Sequence, residues 1–230
     1  MKREIIITSD GSSTIHIPEW NEQYHSKHGA IQEAYHVFIK NGLEFFYNAK
    51  FCDSHAMVSI LEIGFGTGLN TLITLLEAEK FKLTIDYVGV EAYPISSNEV
   101  EQLNYVNELS VENLDSLFKS LHENTWEVQH AITNQFFLTK QKKFFNEIAD
   151  SEKYHIIFFD AFGARVQPEL WTEAIFLLMY KSLKNNGVLV TYSAKGSVRR
   201  AMQSVGFTVE RLPGPPGKRE MLRATKLVSV

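Results

Sequence analysis

Leu61-Glu62-Ile63-Gly64-Phe65-Gly66-Thr67-Gly68-Leu69-Asn70 is the stretch from which the fold is read. The apolar run before it, from Met57 to Ile63, has the character of a strand buried on both faces. Three glycines follow at every second position, and after Asn70 the residues Leu72, Ile73, Leu75 and Leu76 take helical spacing. A strand, a tight turn and a helix start predict a ligand-binding βα unit. Open α/β sheets bind their ligands beyond the carboxyl ends of the strands, and glycine lets a ligand approach the backbone closely.

The spacing is Gly-x-Gly-x-Gly, with Leu69 standing where a dinucleotide fingerprint has its last glycine. No Gly-Lys-Ser/Thr follows, which excludes a Walker-type phosphate loop. Glu62, just before the first glycine, would repel a pyrophosphate. It suits a ligand with a cationic amino group, such as the methionine part of S-adenosylmethionine. The next apolar run, Ile85 to Val90, ends in Glu91, an acid placed to accept hydrogen bonds from both hydroxyls of a ribose. Glu62, Gly64, Gly66, Gly68 and Glu91 together resemble the motif set of nucleoside-cofactor methyltransferases. A plain βα turn and an NAD site are the competing readings of the same residues.

Working outward, the βα alternation starts near Phe51 and predicts a mostly parallel sheet with helices on both faces. The expected strands are Met57–Ile63, Leu83–Glu91, Trp126–Ile132, Tyr154–Phe159 and Gly187–Tyr192. Helices are expected to start near Thr67, Ile95, Val111, Asn134 and Pro168, with another from Ser197 to Val205. Phe207–Arg211 and Glu220–Val230 flank the turn Pro213-Gly214-Pro215-Pro216-Gly217 and predict an antiparallel strand pair at a sheet edge. Before the sheet, Arg3 to Ile17 alternate around Ser9-Asp10-Gly11-Ser12, a β-hairpin pattern. A helix from Gly29 to Tyr47 follows. Residues 1–50 thus read as an N-terminal hairpin-helix extension, and 51–230 as the catalytic domain. His25, Glu33 and His36 read chiefly as polar residues of its loop and helix.

At 230 residues and 44% hydrophobic, the chain can bury one sizeable core. It has no apolar run of membrane-spanning length, and its start, Met1 to Thr8, lacks the apolar core of a signal peptide. With a single cysteine, Cys52, read as a packing residue, the expected setting is reducing and cytoplasmic. Neither His-Glu-x-x-His nor a cysteine pair occurs, so no metal is expected. The net charge is −4, yet Lys195, Arg199, Arg200, Arg211, Lys218, Arg219, Arg223 and Lys226 crowd one stretch against only Glu210 and Glu220. A local basic face can bind a polyanion on an acidic protein, because screening limits each charge to roughly 8–10 Å; a solvated surface is the plainer reading.

A second constellation is Ile156-Ile157-Phe158-Phe159-Asp160-Ala161-Phe162, a buried strand ending in an acid. In a doubly wound sheet it lies beside Met57–Ile63, which brings Asp160 to the edge that carries the glycine turn. A carboxylate near a sulfonium suits an amine nucleophile, which attacks only with a free lone pair. Asp160 would orient the neutral amine and take its proton; a strand-end cap or a cofactor contact are its plainer roles.

With these residues in view, the chain resembles the methyltransferase of the MnmC/MnmD type over nearly its whole length. The resemblance is carried by Asp10-Gly11-Ser12, Tyr24-His25-Ser26 with Gly29 and Glu33, and Glu62 through Asn70. It continues in Asp160-Ala161-Phe162 with Pro168-Glu169-Leu170-Trp171, Thr191 through Gly196, Val198-Arg199-Arg200, and Gly217-Lys218-Arg219-Glu220-Met221-Leu222. It implies a Rossmann-like class I fold and methylation of the exocyclic amine of 5-aminomethyl-2-thiouridine at the wobble position of tRNA, from S-adenosylmethionine. It implies Asp160 as the catalytic acid. The cofactor contacts would be Glu62, Gly64, Phe65, Gly66, Gly68, Asn70, Glu91, Ala131, Ile132 and Asp160. Ala131 and Ile132 stand where the family carries an acid, which leaves the adenine to backbone or to Asn134; Gly163-Ala164 stand where proline is common. Tyr24, Phe65, Phe162 and Trp171 would hold the splayed base, and Lys195, Arg199, Arg200, Lys218 and Arg219 the phosphates. The family's flavin oxidase has no room before Val230, so the expectation is methyl transfer alone, with a separate oxidase or another aminomethyl-forming enzyme supplying the substrate. The rival functions are an N-methyltransferase for small amines and a tRNA-binding module without catalysis.

Overall fold

A computed structural model describes residues 2–50, 57–111 and 113–228. Cys52, the expected boundary at 50/51 and the last residues of the strand expected to reach Val230 lie outside the described residues.

The strands are β1 (Glu4–Ile7), β2 (Ser13–Ile17), β3 (Glu22–Gln23), β4 (Met57–Ile63), β5 (Thr84–Val90), β6 (Gln129–Thr133), β7 (Phe136–Gln141), β8 (Tyr154–Phe159), β9 (Leu183–Thr191), β10 (Thr208–Pro213) and β11 (Glu220–Thr225). The helices are α1 (Ala30–Ala34), α2 (Phe45–Lys50), α3 (Leu69–Phe81), α4 (Ser97–Val100), α5 (Tyr105–Leu109), α6 (Leu114–Glu123), α7 (Glu173–Ser182) and α8 (Gly196–Ser204), with a π-helical segment Tyr35–Glu44 joining α1 to α2.

The main sheet has eight strands in the order β10-β11-β9-β8-β4-β5-β7-β6. Strands β9, β8, β4, β5 and β7 are parallel. Strands β11 and β10 add antiparallel at one edge, as the sequence pattern predicts, and β6 adds antiparallel at the other. The chain builds outward from β4 through β5 to β7, then returns to the other side of β4 as β8. The order therefore reverses between β4 and β8, and that crevice is where such sheets bind ligands. One face is covered by the helices up to α6, where Val37, Phe38, Leu72, Leu76 and Phe118 pack on Ile60, Tyr87 and Phe158. The other is covered by α7 and α8, with Ile175, Phe176, Val198 and Met202 on Leu61, Ile157 and Leu189. Gly42 lets the π-helical segment press onto the sheet; a Cβ there would stand 3.1 Å from both Phe158 and Val190.

One expectation fails at the β6 edge. Trp126–Ile132 is not a parallel strand, and no helix starts at Asn134. Residues 129–141 form a hairpin, and the strand parallel to β5 is its second arm, β7. The reason is legible in the side chains: Phe136, Leu138 and Lys140 are buried and alternate with half-buried Phe137, Thr139 and Gln141, a period of two. Because β6 runs against β7, Ala131 and Ile132 lie toward the amino ends of the parallel strands, away from the ligand edge. Asn134 is exposed in the hairpin turn. None of the three is placed to hold adenine.

The motif Asp10-Gly11-Ser12 is structural. Asp10 Oδ1 accepts from Thr8 Oγ1 at 2.7 Å and from the Ser12 amide at 3.1 Å, while Oδ2 accepts from the Gln32 amide at 3.0 Å. Asp10 thereby caps α1 from outside, since the helix has no side-chain cap of its own. Burial alone would raise the Asp10 carboxyl, but these hydrogen bonds from Ser12, Gln32 and Thr8 hold it below the ordinary value. Its stabilising contribution is full above the ordinary aspartate pKa and is lost as pH falls through the depressed folded value. Asp10→Ala should lower unfolding free energy by about 1.5–3 kcal/mol in urea titrations at neutral pH, a difference that shrinks in acid.

Candidate active site

The turn after β4 is fixed from three sides. Gly64, Gly66 and Gly68 have φ of +90°, +50° and +72°, a region side chains rarely adopt. The amides of Gly64 and Phe65 both donate to the Val90 carbonyl, at 3.0 and 3.1 Å. The Gly66 amide donates to Glu91 Oε2 at 3.1 Å, and the Tyr93 amide to Glu91 Oε1 at 2.9 Å. Glu91 is thus oriented at the carboxyl end of β5, half-buried beside the turn. Phe65 points inward: its ring covers Gly89, where a Cβ would come within 2.5 Å of it, and edges onto His122 and Trp126. Its side chain is 3% exposed and packed on Gly89, so it is not free to hold a splayed base.

Asp160 stands across the crevice. Its amide donates to the Ile63 carbonyl at 2.9 Å, and a Cβ on Gly64 would lie 2.8 Å from its carbonyl oxygen. Asn70, in the first turn of α3, donates from Nδ2 to Asp160 Oδ2 at 2.9 Å. Burial, followed by the nearby Glu33 carboxylate, pushes Asp160 up to about 7, against the opposing pull of Asn70 and Lys218. The sequence reading of Asp160 and Asn70 at one sheet edge therefore agrees with the geometry.

Glu62 is placed differently from the expectation. It is 1% exposed and turns under α3, where Oε2 accepts from Thr71 Oγ1 at 3.0 Å. Alternation along β4 sends Glu62 to the helix-covered face that also buries Ile60 and Val58, so it does not present a carboxylate to a ligand ammonium.

The N-terminal extension and the turn between β10 and β11 close over the crevice. Lys218 Nζ pairs with buried Glu33 at 2.5 Å and sits 3.8 Å from the centre of the Tyr192 ring. The other Glu33 oxygen accepts from the Ser26 amide, and the Tyr192 hydroxyl donates to the Ala161 carbonyl. His36 Nε2 meets the Pro213 carbonyl at 2.8 Å. Lys218 is therefore tied into the pocket wall instead of standing free for a phosphate. Tyr24 lies over Gly66 and meets Phe162 edge-on at 4.9 Å, and Trp20 meets Phe162 at 5.4 Å. Trp171 is no base platform: it is buried against Phe159 and Phe176, and its Nε1 donates to the Phe162 carbonyl at 2.7 Å. It holds the loop after Asp160 in shape.

Of the basic stretch, Arg211, Arg223 and Lys226 pair with Glu220, Glu210 and Glu152. Lys195, Arg199, Arg200 and Arg219 have no ion-pair partner among the described residues. Lys195, Arg200 and Arg219 are exposed, and all four lie beyond the carboxyl end of β9 or in the turn that precedes β11, on the edge that carries Asp160.

The sequence reading missed Gln141. It ends β7 next to Glu91, whose amide donates to the Gln141 carbonyl at 3.0 Å, and its Oε1 is buried without a partner. The alternation of 136–141 is the signal that would have found it.

Residues 104–227 match the family described as S-adenosyl-L-methionine-dependent methyltransferase. That is more than half of the chain, and the chain belongs to this family. Among curated proteins it is similar to the tRNA 5-methylaminomethyl-2-thiouridine biosynthesis bifunctional protein MnmC of Paracidovorax citrulli, 28% identical over 90% of this chain and 33% of that one. The Leptospira interrogans protein of the same name is 29% identical over 89% of this chain and 32% of its own length. The chain thus spans about a third of the curated relatives it matches. Among solved structures, MnmC2 from Aquifex aeolicus superposes with a TM-score of 0.78 at 26% identity, covering 100% of this chain and 71% of that one. A spermidine synthase from Thermotoga maritima, at a TM-score of 0.53 and 13% identity, shares the fold.

The residues present fit the family's cofactor. Glu91 stands oriented at the end of β5, where it would meet a ribose, and the orphaned Gln141 Oε1 would suit the exocyclic amine of adenine. Asp160 and Glu33 make the crevice acidic, as a sulfonium requires. Gly64→Ala, which forces a Cβ onto the Asp160 carbonyl at positive φ, should weaken S-adenosylmethionine binding by about ten-fold or more in calorimetry.

Proposed function

We propose that this chain transfers the methyl group of S-adenosylmethionine to the exocyclic amine of 5-aminomethyl-2-thiouridine at the tRNA wobble position. The observation that carries the reading is Asp160: a carboxylate anchored by Asn70, facing the glycine turn across the switch point, and raised to about 7. The names of the relatives support the RNA substrate. So does the segregation of charge, with acids inside the crevice and Lys195, Arg199, Arg200 and Arg219 around its rim.

Bound S-adenosylmethionine supplies an electrophilic methyl group on a cationic sulfur. The chain supplies position and proton handling. Asn70 occupies Asp160 Oδ2, which leaves Oδ1 to orient the acceptor amine and to take a proton as nitrogen becomes cationic. A proton acceptor with a pKa near the working pH is matched to that task. Tyr24, Trp20 and Phe162 form an aromatic mouth beside Asp160 for the wobble base, and the Glu33–Lys218 pair over Tyr192 closes the opposite wall. A separate oxidase or another aminomethyl-forming enzyme provides the substrate, in a cytoplasmic setting.

The test is methyl transfer to tRNA bearing the aminomethyl group, beside free small amines. Transfer to tRNA should dominate, with kcat/KM rising as Asp160 ionises through about pH 7. Asp160→Asn should lower kcat by about 10²-fold or more. Full activity in that variant refutes the role of Asp160, and equal turnover of free amines refutes the RNA substrate. Replacing Lys195, Arg200 and Arg219 together by Ala should weaken tRNA binding and reduce the salt slope by about one per lost phosphate contact.

A further inference from the structure

Thr67 is the middle residue of the glycine turn and is 1% exposed. Glycines at positive φ stand on either side of it, so its peptide planes would rotate freely unless something outside the turn held them. Both polar ends of the residue are held, and by elements remote in the chain. Its Oγ1 accepts from the Tyr105 hydroxyl of α5 at 3.1 Å and faces His25 Nε2 of the N-terminal loop at 3.5 Å. Its carbonyl lies 3.1 Å from His122 Nε2, in the last turn of α6. A carbonyl only accepts, so His122 carries its ring proton on Nε2.

The groups around Thr67 are themselves fixed. The His25 amide and Nδ1 both meet Thr14 Oγ1 of β2, at 3.0 and 3.1 Å. The start of α5 is joined to the same hairpin: the Ser13 amide donates to Asn104 Oδ1 at 2.7 Å, and the Asn104 amide to Ser13 Oγ at 3.0 Å. The His122 ring meets Phe118 and Phe65 edge-on, at 4.9 and 5.8 Å. Its backbone carbonyl is one of those a helix leaves open at its C-terminus, and it accepts from the buried Lys140 Nζ of β7 at 2.6 Å. A cation at that end also complements the helix dipole. Burial, followed by the Lys140 ammonium, holds the His122 imidazole down at about 4, so the ring is neutral with a single proton.

We propose that Thr67 is the pin of the cofactor turn, and that His122, with His25 and Tyr105, is a positioning residue that sets the turn in its ligand-ready shape before S-adenosylmethionine arrives. The inference rests on the family's cofactor and not on the RNA substrate. A turn already ordered in the free protein spares binding the cost of ordering it. Without the His122 bond, other forms of the turn compete, and apparent affinity falls with the fraction of protein that is ordered.

His122→Phe and His122→Gln separate the hydrogen bond from the packing. The first keeps an aromatic ring against Phe65 and Phe118 and has no donor; the second keeps a donor and has no ring. In calorimetry, His122→Phe should raise the S-adenosylmethionine Kd by about ten-fold, and His122→Gln by less than about three-fold. In the free His122→Phe protein, amide hydrogen exchange should quicken within residues 64–72, and saturating cofactor should return it to the wild-type rate. Three results overturn the proposal: a Kd for His122→Phe within about three-fold of wild type, weaker binding by His122→Gln than by His122→Phe, or exchange quickened equally across α6 and the sheet. Nitrogen NMR of wild type needs no variant: His122 should be the Nε2–H tautomer, and the Nδ1–H tautomer overturns the proposal as well. None of these measurements uses RNA. Failure of wild type to methylate tRNA would therefore refute the substrate reading and leave this one decided separately.

Discussion

The contact between the ends of β4 and β8 is the constraint on which the rest of the site depends. The Asp160 amide donates to the Ile63 carbonyl, and the Gly64 backbone passes so close to the Asp160 carbonyl that no side chain fits between them. These two strands are neighbours only because the sheet is built outward from β4 in one direction and then in the other. The reversal opens a crevice, and two backbone segments 96 residues apart in the chain supply its walls. A backbone hydrogen bond across such a junction is short and directional, which holds the Asp160 carboxyl in register with the glycine turn independently of any ligand. Positioning of this kind is what converts a mixture of reactants into an aligned pair.

Charge is distributed around that crevice in two layers. Inside lie Asp160, Glu33 and Glu91, and Lys218 beside them is paired with Glu33. Outside, Lys195, Arg200 and Arg219 are exposed without partners among the described residues. Salt screens exposed charges over roughly 8–10 Å, so the two layers act over separate ranges. In the reaction proposed above, the acidic interior would act on the cationic sulfur of the cofactor and on the acceptor amine, and the basic rim on phosphates. A net charge of −4 hides both.

How much of this could be read from the residues alone follows from the range over which each signal acts. The glycine turn, Glu91 and Asp160 were legible because strand-end acids and turn glycines are local patterns. The edge pair β10–β11 was legible because a proline-glycine turn separates two short alternating runs. The β6–β7 hairpin was misread because Val128 to Ile132 looks as strand-like as the true parallel partner, and the choice between them is made by pairing with β5, a tertiary event. The direction of Glu62 was equally out of reach, since a strand buried on both faces carries no alternation to say which face an acid takes. Trp171 was misassigned because an aromatic near a site strand serves packing as readily as stacking. The Glu33–Lys218 pair spans 185 residues, and no pattern within either segment announces it.

The N-terminal extension belongs to the site by the same physics. Its helical segment contributes Ala34, Val37 and Phe38 to the core that also contains Ile60 and Phe158 of the sheet, so it cannot swing away without exposing apolar surface. The Tyr24–Ser26 loop is thereby fixed beside the glycine turn, and Glu33 is fixed opposite Tyr192. The turn before β11 is held against it by Lys218 and by the His36 contact to Pro213. The N-terminal loop and the turn before β11 close over the crevice, and burial there raises the Asp160 carboxyl toward neutrality. The extension therefore does more than cover a finished site: removing its wall would return Asp160 toward an ordinary carboxylate, a weaker base than the reaction proposed above calls for.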